Sequence, residues 1–246
     1  MNLLRSLVLI FPALILFSCN SNLKKSPHVT VSVTFQEDSF TFSEPQKAFI
    51  RGVISNSEKE VRHLLPNLPD SIKVIVEAVD WDLDIVSGVT GRTESNKPPL
   101  VLVQISHKYK GGVIDSTYQG IKSTIYHEFH HLYRGWAIQD NKFSYGIPNA
   151  MVNEGLAVAF TEIYTGNINE GNAYTDEADN WVKEILALPL NVSYSDWVMG
   201  EHPDGRTYIG YRTGNYLARK TMIKSGKTIL ELSELMPNEI IKLAGY

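Results

Sequence analysis

The apolar residues of this chain change period once, near residue 115, and that switch limits the folds open to it more than any other feature. Before it lie short apolar or β-branched runs: "VTVSVTF" (29–35), "SIKVIVEAV" (71–79) and "PLVLVQIS" (99–106), with a weaker run around 84–91. Runs of this length and kind predict strands. One helix interrupts them at 44–65, where Phe49, Val53, Val61, Leu64 and Leu65 recur at helical spacing and Pro66 and Pro69 then close it. After the switch the pattern is helical. Predicted helices cover "STIYHEFHHLY", stopping at Gly135, and "NAMVNEGLAVAFTEIYTG", from Asn149 as N-cap to Gly166. Three more cover 176–187, about 207–224 and 228–243, the last opening with Thr228 and Glu231 at capping-box spacing. A small sheet followed by helices is an α+β layout.

The 246 residues, 43% of them hydrophobic, suffice for one domain with a sizeable core, and no internal repeat divides them. With a net charge of -4 and no basic stripe or aromatic-basic array, nothing in the sequence points to nucleic acid, and no nucleic-acid partner is expected.

The first residues stand apart from that domain. Arg5 followed by the apolar stretch Leu7 to Phe17 reads as a secretory signal. The stretch is too short for a membrane span, which needs about 20 residues. It ends in Leu16-Phe17-Ser18-Cys19, which resembles the lipobox of bacterial lipoproteins. That resemblance implies cleavage before Cys19, lipidation of Cys19, and a cell-envelope location; Asn20 in the next position leans towards an outer membrane. Cys19 is the sole cysteine, so disulfides and thiolate metal ligands are excluded. The polar stretch "NSNLKKSPH" (20–28) reads as a tether, giving a signal at 1–18, a lipidated tether at 19–27 and one domain at 28–246.

The stretch "IYHEFHHLYRG" (125–135) concentrates the chemistry. On a helical wheel advancing about 100° per residue, Ile125, Phe129, Leu132 and Trp136 share a stripe with Ile121. On the same wheel His127 falls near 240° and His131 near 280°, so the two imidazoles face one point. Glu128 lies to one side, placed to hydrogen-bond a water there rather than to act as a ligand. His130 lies to the other side. A His127/His130 pair would swing an ion away from Glu128, so His127 and His131 are the expected ligands, with Glu128 as base and His130 in a packing or ligand-supporting role.

A catalytic zinc takes three protein ligands and keeps one position open. An extended motif with a third histidine would need glycine at 134 and histidine at 137, where this chain has Arg134 and Ala137. The next helix offers Glu154, with 22 residues between it and His131, enough for a turn and a second helix crossing back. Gly155 follows, and a mid-helix glycine costs roughly 1 kcal/mol relative to alanine, which close contact between the two ligand-bearing helices would offset. Glu162 is the reserve ligand.

These residues resemble a gluzincin, the metallopeptidase group with HExxH on one helix and a ligating glutamate on the next. "HEFHH", "NEGLA" and "YIGYRTGNYL" (208–217) together resemble the YjaZ-like family of predicted bacterial zinc-dependent proteases, over roughly residues 95–245. The resemblance implies a zincin-like fold, one catalytic Zn2+ held by His127, His131 and Glu154, Glu128 as general base, and a peptide or protein substrate. For the developing oxyanion, Tyr208, Tyr211 and His202 are candidate donors, Tyr211 the preferred one. The strand at 99–106 is either a docking edge for an extended peptide or, being almost wholly apolar, a buried strand. The competing reading is a non-catalytic surface lipoprotein that binds a protein or glycan, with zinc structural or absent.

Overall fold

In the computed structural model, residues 30–37, 40–114 and 116–246 are described. The expected signal, the tether, Cys19 and the first residues of the 28–246 domain lie outside them. The chain runs β1 (Thr30–Gln36), α1 (Glu44–Leu64), β2 (Ser71–Val79), β3 (Val89–Asn96), β4 (Pro99–Ser106), α2 (Tyr118–Arg134), α3 (Ile147–Thr165), α4 (Ala178–Leu186), α5 (Ile209–Ser225), α6 (Ile229–Ser233) and α7 (Pro237–Ala244). Short 3-10 turns at Asp84–Val86 and Glu170–Asn172 and a π turn at Ser195–Met199 lie between them.

The result is a mixed α/β arrangement with a four-stranded sheet of order β1-β2-β4-β3. β1, β2 and β4 are parallel, while β3 pairs antiparallel with β4. Parallel pairing of β1 with β2 requires a crossover, and α1 provides it. Ser43 starts α1 with a capping box closed by Gln46. Its buried face uses Ile50, Val53, Ile54 and Val61, whereas Phe49 and Leu64 are only half-buried.

Strand register sorts the side chains by face. Ile72, Val74 and Val76 of β2 are buried, and Val74 and Val76 pair with Val101 and Val103 of β4. On that same face β3 contributes Val89, Gly91 and Thr93, paired with Ile105, Val103 and Val101. The helices α1 and α2 pack together, and α2 lies against β3 and β4. The two inward positions of β3 occupied by glycine and threonine, not by large apolar residues, therefore face α2.

Several expectations are corrected. The weak strand at 84–91 is a 3-10 turn at Asp84–Val86 followed by β3 at Val89–Asn96, because the Gly88 turn delays the extended run. β4 is central, with β2 on one edge and β3 on the other, so it has no free edge for a peptide. Its apolar run is the signature of a covered strand. Asn149 does not cap α3, which begins at Ile147; its amide donates instead to Ser144 in the preceding loop. The helix at 228–243 is two, because Pro237 restarts the chain as the first residue of α7. The Thr228/Glu231 capping box is present at the start of α6. Among the described residues no helix is long and apolar enough to cross a membrane.

Gly155 has a different role from the one its position suggested. A Cβ there would fall 2.0 Å from the carbonyl carbon of Gly214 on α5, and a Cβ on Gly214 would fall 2.1 Å from the Met151 carbonyl oxygen. The glycine pair lets α3 and α5 touch backbone to backbone. The contact is with α5, not with the histidine helix. Gly214→Ala is expected to destabilise the fold by about 3 kcal/mol, since neither neighbour is a side chain that can swing away. Denaturant unfolding of the metal-free protein measures it.

Candidate metal centre

Helix α2 forms because Ile121, Ile125, Phe129 and Leu132 make a continuous buried stripe. It stops at Gly135, whose left-handed conformation (φ 83°) lets the N–H groups of Gly135 and Trp136 both return to the His131 carbonyl. Off that stripe, His127 and His131 sit one turn apart with their rings nearly perpendicular. α3 packs against α2 and brings in Glu154. The Nε2 atoms of the two histidines are 2.9 Å apart, and Glu154 Oε2 is 3.1 Å from each.

Two imidazole nitrogens and a carboxylate oxygen are a ligand set suited to zinc. A tetrahedral ion with bonds of about 2.0–2.1 Å sets its ligand atoms roughly 3.3 Å apart, close to the spacing observed. His127, His131 and Glu154 are thus a group that could hold a metal ion. Burial opposes charge on Glu154, yet His131 and His127 together hold its carboxyl well below the usual range. Burial likewise works against a proton on His127, but the Glu154 carboxylate and the charge on Glu128 draw its pKa upward. The pocket favours an anionic Glu154, and a metal bound at His127 would have to displace a proton from that imidazole.

Glu128 is buried next to this group, on its β3 side. The Thr93 hydroxyl lies 3.0 Å from both Glu128 Oε2 and the Glu128 carbonyl oxygen. Gly91 gives the strand its closeness: a Cβ there would meet Thr124 at 2.6 Å and Glu128 Cγ at 3.1 Å. Burial pushes the Glu128 carboxyl up, Glu154 adds to this, and the two histidines oppose it. A cavity of about 180 Å³ opens beside His127 and Glu128, walled by Val89, Gly91, Thr124, Val158, Tyr208 and Tyr211.

Tyr211 reaches the site, its ring 6.1 Å from that of His127. Its hydroxyl is held protonated by burial first and by the Glu154 charge next. Tyr208 lines the same cavity, whereas His202 packs on Trp197 and pairs with Asp204, away from it. Glu162 is not part of the ligand group; Arg219 and Asn215 occupy its carboxylate. His130 is fully buried, and its Nε2 lies 2.8 Å from the Ser233 hydroxyl on α6. That hydroxyl spends its proton on the Ile229 carbonyl, so His130 is the donor. It joins α2 to the C-terminal helices. Burial, then the Arg134 charge, keeps it neutral.

Four contributors went unnoticed as site residues. Thr93 touches Glu128. Trp136, counted in the apolar stripe, lies beyond the helix end and donates its indole N–H to Glu154 Oε1 at 2.9 Å. Arg134 is buried with no carboxylate partner among the described residues; it donates to Asn153 Oδ1 at 2.8 Å and to the carbonyls of Ser233 and Leu235. Burial lowers its pKa to about 10. Asn153 immediately precedes Glu154, so this contact fixes α3 against α2 at the ligand. An arginine just inside the helix stop and an asparagine beside the ligating glutamate were the available signals.

A family model described as predicted Zn-dependent protease (DUF2268) matches residues 108–242. The match spans more than half of the chain, from just before α2 into α7, and the chain belongs to this family of predicted zinc-dependent proteases. No curated protein matches the chain, and no solved structure matches it.

His131→Ala and Glu154→Ala are each expected to abolish stoichiometric metal binding. His130→Ala is expected to retain the metal while losing about 2–4 kcal/mol of stability, the cost of a buried truncation. Elemental analysis with unfolding curves distinguishes them, and the opposite pattern would assign the metal to His127 and His130.

Proposed function

We propose that the protein is a zincin-like zinc metallopeptidase of the gluzincin type, which hydrolyses peptide bonds with Glu128 as general base. The observation that carries this reading is the meeting of His127, His131 and Glu154 on one point with a buried, unligated carboxylate beside it. Zinc, when bound there, supplies a Lewis acid that polarises a peptide carbonyl and makes water more acidic. Glu128 takes a proton from the attacking water on a carboxylate oxygen and delivers it to the leaving amine. Thr93 holds Glu128 Oε2, which restricts the carboxylate to orientations facing the cavity. Tyr211 is the donor best situated to stabilise the developing oxyanion, being protonated and within the cavity wall. The substrate is a peptide or protein whose backbone enters between β3 and the N-terminal end of α5.

Glu128→Gln tests the assignment. The variant is expected to keep one zinc per chain and lose roughly 100- to 10,000-fold in peptide hydrolysis, the usual size of general-base catalysis. A fully active variant would refute the base. A protein that binds zinc but cleaves no member of a peptide library would favour the non-catalytic binding reading, which needs no base at this position.

We further propose that the enzyme works at the bacterial cell envelope, held there by a lipid on Cys19. The lipobox-like sequence supports this. Cys19→Ser is expected to move the protein from the membrane fraction to the soluble fraction and to remove acyl-chain labelling.

A further inference from the structure

Glu154 uses its two carboxylate oxygens differently. Oε2 stands 3.1 Å from the Nε2 atoms of both histidines, while Oε1 accepts the indole N–H of Trp136 at 2.9 Å. The distinction matters because a carboxylate can grip a divalent ion through one oxygen or through both. Gripping through both would fill a coordination position that hydrolytic chemistry needs open. An indole N–H is a donor only, so it competes with the ion for the electron density of the oxygen it engages and favours the other oxygen as ligand.

The route by which Trp136 arrives there is set by the end of α2. Gly135 adopts a left-handed conformation, and the Trp136 N–H caps the carbonyl of His131, itself in the ligand group. The same turn that ends the histidine helix reverses the chain and aims the indole at α3. A side chain at position 135 would strain the left-handed backbone that this turn requires. Phe143, 6.1 Å away, is the aromatic neighbour of the indole.

We propose that Trp136 is a positioning residue for the metal: its N–H reserves Oε1 of Glu154 and leaves Oε2 as a single ligand atom. The proposal rests on the metal-binding reading above. It makes the helix stop Gly135-Trp136 part of the ligand-supporting structure, one link away from the ion. Outer hydrogen bonds of this kind typically change metal affinity by roughly 10- to 100-fold.

The test removes one N–H group and little else. Trp136 is replaced by β-(3-benzothienyl)alanine, which keeps the ring shape but has sulfur in place of N–H, and separately by 7-azatryptophan, which keeps the N–H. Zinc affinity is measured by competition with a chromophoric chelator, and coordination number by zinc-edge X-ray absorption. Thermal unfolding of the metal-free proteins reports the fold alone. The benzothienyl variant is expected to bind zinc roughly 10- to 100-fold more weakly. It should gain an oxygen ligand, keep the wild-type metal-free melting temperature, and be rescued by 7-azatryptophan. Each tenfold loss of affinity is about 1.4 kcal/mol and shrinks the zinc-induced stabilisation accordingly. Zinc affinity within twofold of wild type in the benzothienyl protein would overturn the proposal and leave the metal site intact. A wild-type chain that bound no zinc would instead overturn the metal reading, and this inference with it.

Discussion

Three atoms from two helices meet within about 3 Å of one another, and the rest of the molecule is organised to keep them there. Two imidazoles on one face of α2 are a local matter, settled by helix geometry. The carboxylate oxygen of Glu154 is not local, because α3 has to cross α2 at one depth and one rotation. A shift of about 1 Å in that crossing is enough to spoil such a site. Three separate contacts hold it. Gly155 seats α3 backbone to backbone on Gly214 of α5. Arg134 holds Asn153, the residue before the ligand. Trp136 holds the ligand's other oxygen.

The sheet has a narrower task. Its edge strand β3 turns Gly91 and Thr93 towards α2, the one because no side chain fits there and the other because its hydroxyl meets Glu128. Glu128 is thus oriented from the sheet while His127, His131 and Glu154 are oriented from the helices. Burial raises the Glu128 pKa, the condition under which a carboxylate is a useful proton carrier. The C-terminal helices serve a third purpose. Through Ser233 and Leu235 they give partners to His130 Nε2 and the Arg134 guanidinium, buried polar groups whose isolation would cost stability.

Much of the layout is legible from periodicity. The strands at 71–79 and 99–106 and the helix ends at Gly135 and Gly166 are written in short-range pattern and capping chemistry. Where that reading misses, a non-local or one-residue effect is responsible. β3 is displaced because the turn at Ser87 and Gly88, both in the left-handed region, comes before any extended run. The α6–α7 break depends on a single proline whose favoured position at a helix start competes with its role as a helix interruption. Gly155 meets α5 rather than α2, since a glycine announces a close approach without naming what approaches.

By itself the sequence determined the pairing of His127 with His131, the flanking position of Glu128, and Glu154 as the residue a second helix could bring. Spacing along a helix decides the first two, because 3.6 residues per turn is the same in every protein; Glu154 rests on the motif and the gap to a second helix. Only the tertiary structure decided what stands behind them. Thr93 is 35 residues from Glu128, Trp136 is 18 from Glu154, and Ser233 is 103 from His130. No periodicity connects residues so far apart. Their contacts exist because packing the sheet, α3, α5 and the C-terminal helices around α2 brings these particular groups within reach of one another.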